Sequence, residues 1–314
     1  MSPLRDALLP FARPHRGSLA FGLVFTCLLV GARLALPLPL TAVVGRASSS
    51  ESGTVPAAVL SAAFVGLALV AGLAEHQQRL AFAHFAGRTI TDAREAALAR
   101  VQRDGGDRSG DLTTQVVGDA LRTKQGLKGV LNHITVNGLL VVGVCVALAV
   151  ADLWLGLVQL AGALLLVVVA VFGAARVGTV AAEHRGHEVA LAGSVHRLAE
   201  GDRSLDAATV QALRDLDADS GVADVAITRW EGTTTWAVHG VLVASAAAVL
   251  LLGLTEVESG RLTTAGLFGV MAYLLVLHGP AIRFARQITR TAPLLVSARQ
   301  LGLAVATPEP HPTA

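Results

Sequence analysis

The chain has 314 residues, of which 53% are hydrophobic and only 15% charged, with a formal net charge of +2 and a mean hydropathy of +0.59. A soluble domain of this length needs more charge to cover its surface, so lipid is the expected solvent if the apolar residues come in long runs. The small net charge gives no footprint for nucleic acid.

The apolar residues do come in runs. Six segments approach the roughly 20 residues that a helix needs to cross a bilayer: 18–44, 55–73, 134–151, 153–175, 236–254 and 262–282. Backbone groups in lipid must be bonded within their own segment, so the runs predict helices. The first is too long for a signal-peptide core, and no small-residue cleavage pattern follows it. Residues 1–17 precede it as a basic entry segment, and 305–314 read as a flexible tail rich in proline.

The connections alternate in length. Residues 46–54, Asp152 and 255–261 are short links, whereas 74–133 and 176–235 each run to about 60 residues. Of the 25 Lys and Arg, 22 fall in the N-terminal stretch, the two long connections and the tail, leaving Arg46 and Arg261 on the other side and Arg33 inside a span. The positive-inside rule then predicts cytoplasmic termini and cytoplasmic long connections, in a multi-pass protein of the cell (plasma) membrane. Arginine outnumbers lysine 23 to 2, which with abundant Ala, Gly and Val suggests a GC-rich bacterial source. The long connections are rich in helix formers, interrupted at Gly105-Gly106 and Gly201-Asp202. The fold class expected is therefore an all-α membrane protein: six transmembrane helices with two long cytoplasmic helical extensions, each a pair of arms meeting near a tip.

Leu8 to Gly17 resembles the short elbow before the first span of ABC-type exporters of the multidrug and lipid-flippase kind, and Leu36-Pro37-Leu38-Pro39-Leu40 resembles the proline-broken outer half of that span. Arg108 to Asp119 is similar to the Gly-acidic-Leu pattern after the first tip, and 262–301 to the sixth span and its exit. The resemblance covers residues 5–304, with 18–304 as the transmembrane domain. It implies dimerisation with a second exporter transmembrane subunit, identical or different. It also implies coupling tips seated in nucleotide-binding domains, near 101–109 (Val101, Gln102, Arg103, Asp104, Asp107) and 205–213 (Leu205, Asp206, Ala207, Thr209). These tips lack the bulky aromatics usual in the family.

The only lysines, Lys124 and Lys128, are followed by Gln125 and Gly129, so the phosphate-binding Gly-Lys-[Ser/Thr] sequence does not occur. The expectation is a non-enzymatic permease subunit that binds no cofactor itself and uses ATP and Mg²⁺ through a separate ATPase chain to export a lipophilic or amphipathic substrate. The alternative is a motor-less scaffold or regulator with the exporter fold.

Three residues stand out on the substrate pathway: Arg33, a costly charge deep in the first span, and Tyr273 and His278 in the sixth. Arg33 either lines a cavity for an anionic group or bonds a backbone carbonyl freed by Pro37. Arg283, Arg286 and Arg290, spaced three and four apart, are expected to hold anionic headgroups. Glu183/His187 and His184/Glu188 read as i,i+4 pairs on a solvated arm. Asp215–Gly221 reads as an exposed helix end, and Cys27 and Cys145 as apolar packing residues.

Overall fold

The computed structural model describes residues 9–48, 56–103, 109–199 and 207–305, and those residues are almost entirely helical, with no strand among them. A 3₁₀ turn at Arg13–His15 leads into α1 (Arg16–Ala35) and, after Leu36, α2 (Pro37–Ser48). Pro37 begins the second piece, where its missing N–H costs nothing because first-turn donors have no helical partner. Then come α3 (Ala57–Arg103), α4 (Ser109–Gly129), a π-helical turn at Val130–Thr135, α5 (Val136–Ala151), α6 (Leu153–Ala199), α7 (Ala207–Glu258) and α8 (Thr264–Val305).

Six helical stretches are long and apolar enough to cross a membrane, as befits a multi-pass membrane protein. Their surfaces agree with that medium: Val150, Trp236 and Leu275 are each about four-fifths exposed, which water would penalise and lipid would not. Several helices outrun any bilayer. At 1.5 Å per residue the 47 residues of α3 and of α6 each span about 70 Å, more than twice the ~30 Å hydrocarbon core.

The tight turns lie at one end of the bundle. Asp152, extended at φ −157°, is the single non-helical residue between α5 and α6. Its Oδ1 accepts from the Trp154 and Leu155 amides at 2.9 and 3.2 Å, capping α6. Between α7 and α8, Gly260 adopts φ +74°. The Arg261 amide donates to Glu256 O and the Gly260 amide to Val257 O, both at 3.0 Å, a Schellman closure that needs a left-handed residue. The Arg261 guanidinium returns to the buried Glu256 carboxylate, with Nε 2.5 Å from Oε2 and Nη2 2.8 Å from Oε1.

The long helices pair antiparallel. Along α1 and α3, His15 meets Asp92 at 2.8 Å and Gly22 faces the Phe82 ring; along α6 and α7, Gly162 faces Ser245 and Gly173 faces Thr234. The largest core, including Val144, Leu148, Leu155, Leu166, Val249 and Leu277, joins α5 to α8. A second, around Leu29, Ala74 and Leu140, joins α1, α3 and α5, and Ile90, Ala97 and Ala120 tie α4 to α3.

Several expectations need correction or placement. Asp215–Gly221 lies inside α7, not at a helix end. His184 reaches across to α7, with Nε2 3.4 Å from Asp224 Oδ1 and Nδ1 3.5 Å from Ser220 Oγ, while the side chains of Glu183, His187 and Glu188, expected as its neighbours in i,i+4 pairs, lie outside those described. Of the expected tips, Val101, Gln102 and Arg103 end α3, and Ala207 and Thr209 open α7. Asp104, Asp107, Leu205 and Asp206, like the tail from 306, lie outside the described residues.

Candidate functional site

Hydrophobic pairing brings α1 and α3 together, and one polar interruption in each falls at the same level. Residues 75, 78 and 79 recur at i, i+3 and i+4, which puts Glu75, Gln78 and Arg79 on one face of α3. Arg33 of α1 meets that face: its Nη2 lies 2.6 Å from Glu75 Oε2, while Arg79 Nη2 binds the other carboxylate oxygen. One carboxylate therefore bridges two guanidiniums. The Arg33 and Glu75 side chains are only 24% and 29% exposed, where charge-assisted bonds are stronger than at a wet surface.

The far wall comes from the π-helical turn and the start of α5. The wider i→i+5 turn is a common local distortion at functional sites, and here it carries Asn132 and His133 into a cavity of about 220 Å³. Gln78, 1% exposed, donates from Nε2 to Asn132 Oδ1 at 2.9 Å. Asn137 donates from Nδ2 to the His133 carbonyl at 2.8 Å, which satisfies an acceptor beside the distorted turn. Arg283 of α8 completes the lining. Its Nη1 lies 3.3 Å from where a β-carbon of Gly279 would stand, so the side chain runs back along α8 over the glycine.

Three guanidiniums thus share a cavity with one carboxylate, Glu75. With His133 neutral the site carries an excess of positive charge. Gln78 and Asn137 each spend one amide N–H on these bonds, and the guanidinium N–H groups are the site's charged donors.

Arg33 lines the cavity, and its partner there is the Glu75 carboxylate rather than a freed backbone carbonyl. The Tyr273 hydroxyl donates to Leu34 O at 3.0 Å, close to the Leu36-Pro37 break. His278 does not join Arg33. It sits on α8 with its ring 5.8 Å from that of His239 on α7, edge to face, and His239 Nδ1 is 2.8 Å from Thr235 O.

The arginines of α8 also divide. Arg283 enters the cavity, while Arg290 Nη2 stands 3.3 Å from Glu231 Oε2 on α7. Sequence reasoning missed Glu75, Gln78, Arg79, Asn132, His133 and Asn137. The available signal was the Glu75-Gln78-Arg79 spacing immediately after an apolar run, with an unexplained arginine in the preceding span.

No family model matches the chain, and no curated protein shows significant similarity to it.

Proposed function

We propose that the chain is the membrane-spanning permease subunit of an exporter of the ABC type, moving a lipophilic or amphipathic substrate outward by alternating access, driven by ATPase domains outside these 314 residues. The observation that carries this reading is the pairing of helices far longer than a bilayer is thick. α3 pairs with α4, which runs on without a break into α5, and α6 pairs with α7, forming two antiparallel arms that can act as mechanical levers. A push at their ends is transmitted along rigid helices to the spans, where the polar cavity lies. The excess of basic residues in the connections that include these arms supports a cytoplasmic position. The sequence patterns at 8–17, 36–40, 108–119 and 262–301 support the family.

Orientation is tested first. In a variant with Cys27 and Cys145 replaced, a cysteine at Ser259 in the short turn should react with a membrane-impermeant thiol reagent on intact cells. One at Val222, 70% exposed on the α7 arm, should react only after lysis. The reverse pattern ends the proposal. Coupling is tested by co-purifying the full chain with any ATPase subunit encoded in a neighbouring reading frame and measuring ATP turnover with candidate amphiphiles. A stable complex with no substrate-stimulated turnover would favour the scaffold over the transporter.

A further inference from the structure

We propose that the cavity between α1, α3, α5 and α8 is a binding site for a phosphate-type oxyanion, and that Glu75 is its built-in occupant, which the ligand displaces from Arg33 and Arg79. This deepens the permease reading by naming the ligand chemistry of its cavity, but binding needs neither transport nor an ATPase.

Charge is the first ground. Guanidinium groups inside a membrane protein persist only where an anion or backbone oxygens compensate them. Glu75 is the one carboxylate lining the cavity, and both its oxygens are engaged, one by Arg33 at 2.6 Å and the other by Arg79. Arg283 enters the same space with no second carboxylate to meet it. A further anion would satisfy the surplus.

Geometry is the second ground. Each guanidinium carries several N–H donors in a planar fork suited to two oxygens of a phosphate or carboxylate. The neutral wall adds to them, because Gln78 spends one amide N–H on Asn132 and Asn137 one on the His133 carbonyl, and each amide nitrogen carries two. Size narrows the ligand further. A cavity of about 220 Å³ holds several waters' volume but falls short of the ~300 Å³ at which pockets for whole drug-sized molecules begin. A headgroup or a free oxyanion fits; the apolar remainder of an amphiphile would lie outside. Gly279 contributes by leaving the path along which Arg283 folds back toward the cavity.

The arrangement predicts an unusual sign. In an ordinary structural ion pair, neutralising Glu75 only loosens the site. If Glu75 is a resident competitor, Glu75→Gln removes the occupant, keeps its shape, and leaves Arg33 and Arg79 free for the ligand.

The test uses the full chain in nanodiscs. One arm mixes a minority of phosphatidic acid into phosphatidylcholine and counts tightly retained lipid by native mass spectrometry. The other titrates inorganic phosphate into discs of phosphatidylcholine alone, followed by calorimetry. Binding in the first arm identifies a lipid headgroup as the source, and binding in the second a free ion. In whichever arm binds, Arg283→Gln should weaken it about tenfold and Glu75→Gln should tighten it about tenfold, each equal to one charge-assisted hydrogen bond gained or lost. Arg33→Gln should behave as Arg283→Gln. Should it fail to fold, the Arg283 and Glu75 variants decide alone. Absence of any preference over phosphatidylcholine in both arms overturns the proposal, as does weaker binding in Glu75→Gln.

Discussion

The α1/α3 and α6/α7 pairs are both antiparallel, yet different forces hold them at mid-length. In α6/α7 small residues let the backbones approach: a β-carbon at Gly162 would stand 2.6 Å from Ser245 Cβ, and one at Gly173 only 2.3 Å from Thr234 Oγ1. Lipid offers no hydrophobic drive between helices, so close contact of this kind supplies the attraction. In α1/α3 the Gly22–Phe82 contact closes one stretch, but at Arg33 the pair opens around charges. One pair is built to stay shut; the other keeps a space it must fill with its own carboxylate.

The largest effect that would sharpen this contrast is overpacking the closed pair. Gly173→Leu should destabilise the protein by about 3 kcal/mol or more, because the Thr234 side chain cannot move away without shifting α7. The check is thermal unfolding of the purified protein in detergent. An unchanged melting temperature would mean that the two helices are not in close contact there.

Next comes the open pair. Glu75→Leu leaves Arg33 and Arg79 facing each other without their shared carboxylate and should cost about 2 kcal/mol, less than breaking a fully buried pair because both partners are partly exposed. Arg33→Leu should cost far less. It removes a charge worth roughly 2.5 kcal/mol of insertion penalty while Glu75 keeps Arg79. Equal losses in the two variants would show that the bridge acts as a plain structural ion pair.

How far the sequence reached follows the same divide. The helical runs were legible because run length, helix-forming arms and punctuation at Leu36-Pro37 and Asp152 are local signals, whereas Asp215–Gly221, read as a helix end, lies inside α7. The cavity was not, because it joins residues that only antiparallel register brings together: Arg33 and Glu75 are 42 positions apart, and Tyr273 and Leu34 are 239 apart. Glu75 stands two residues past the run ending at Leu73 and so reads as the start of a connection. The π-helical turn leaves no composition cue at all. His184 is a further case of the same limit, since its cross-helix contact with Asp224 joins residues 40 positions apart.

A smaller effect concerns the turn that closes α7 onto α8, on the side of the bundle where α6/α7 is tightly packed. Gly260→Ala forces a β-carbon into φ +74° and should cost about 1 kcal/mol. The loss should appear first as faster proteolysis between α7 and α8, since the Schellman bonds to Glu256 and Val257 depend on that backbone. Protection equal to that of the unaltered chain would mean the Glu256–Arg261 fork holds the turn unaided.

The smallest expected effect is the most informative about what surrounds α3. A β-carbon at Gly72 meets nothing within 4 Å, and its neighbours Leu69 and Leu73 are 70% and 61% exposed. Replacing Gly72 by Ala should leave stability unchanged or raise it by about 0.5 kcal/mol, through reduced freedom of the unfolded chain. That holds if lipid covers this face, because lipid yields to a methyl group and a packed helix does not. A clear loss of stability, together with a shift toward monomer on sizing, would instead put a second copy's helix against Gly72. The open α1/α3 pair would then lie at a subunit boundary, and its cavity would be bordered by two chains rather than one.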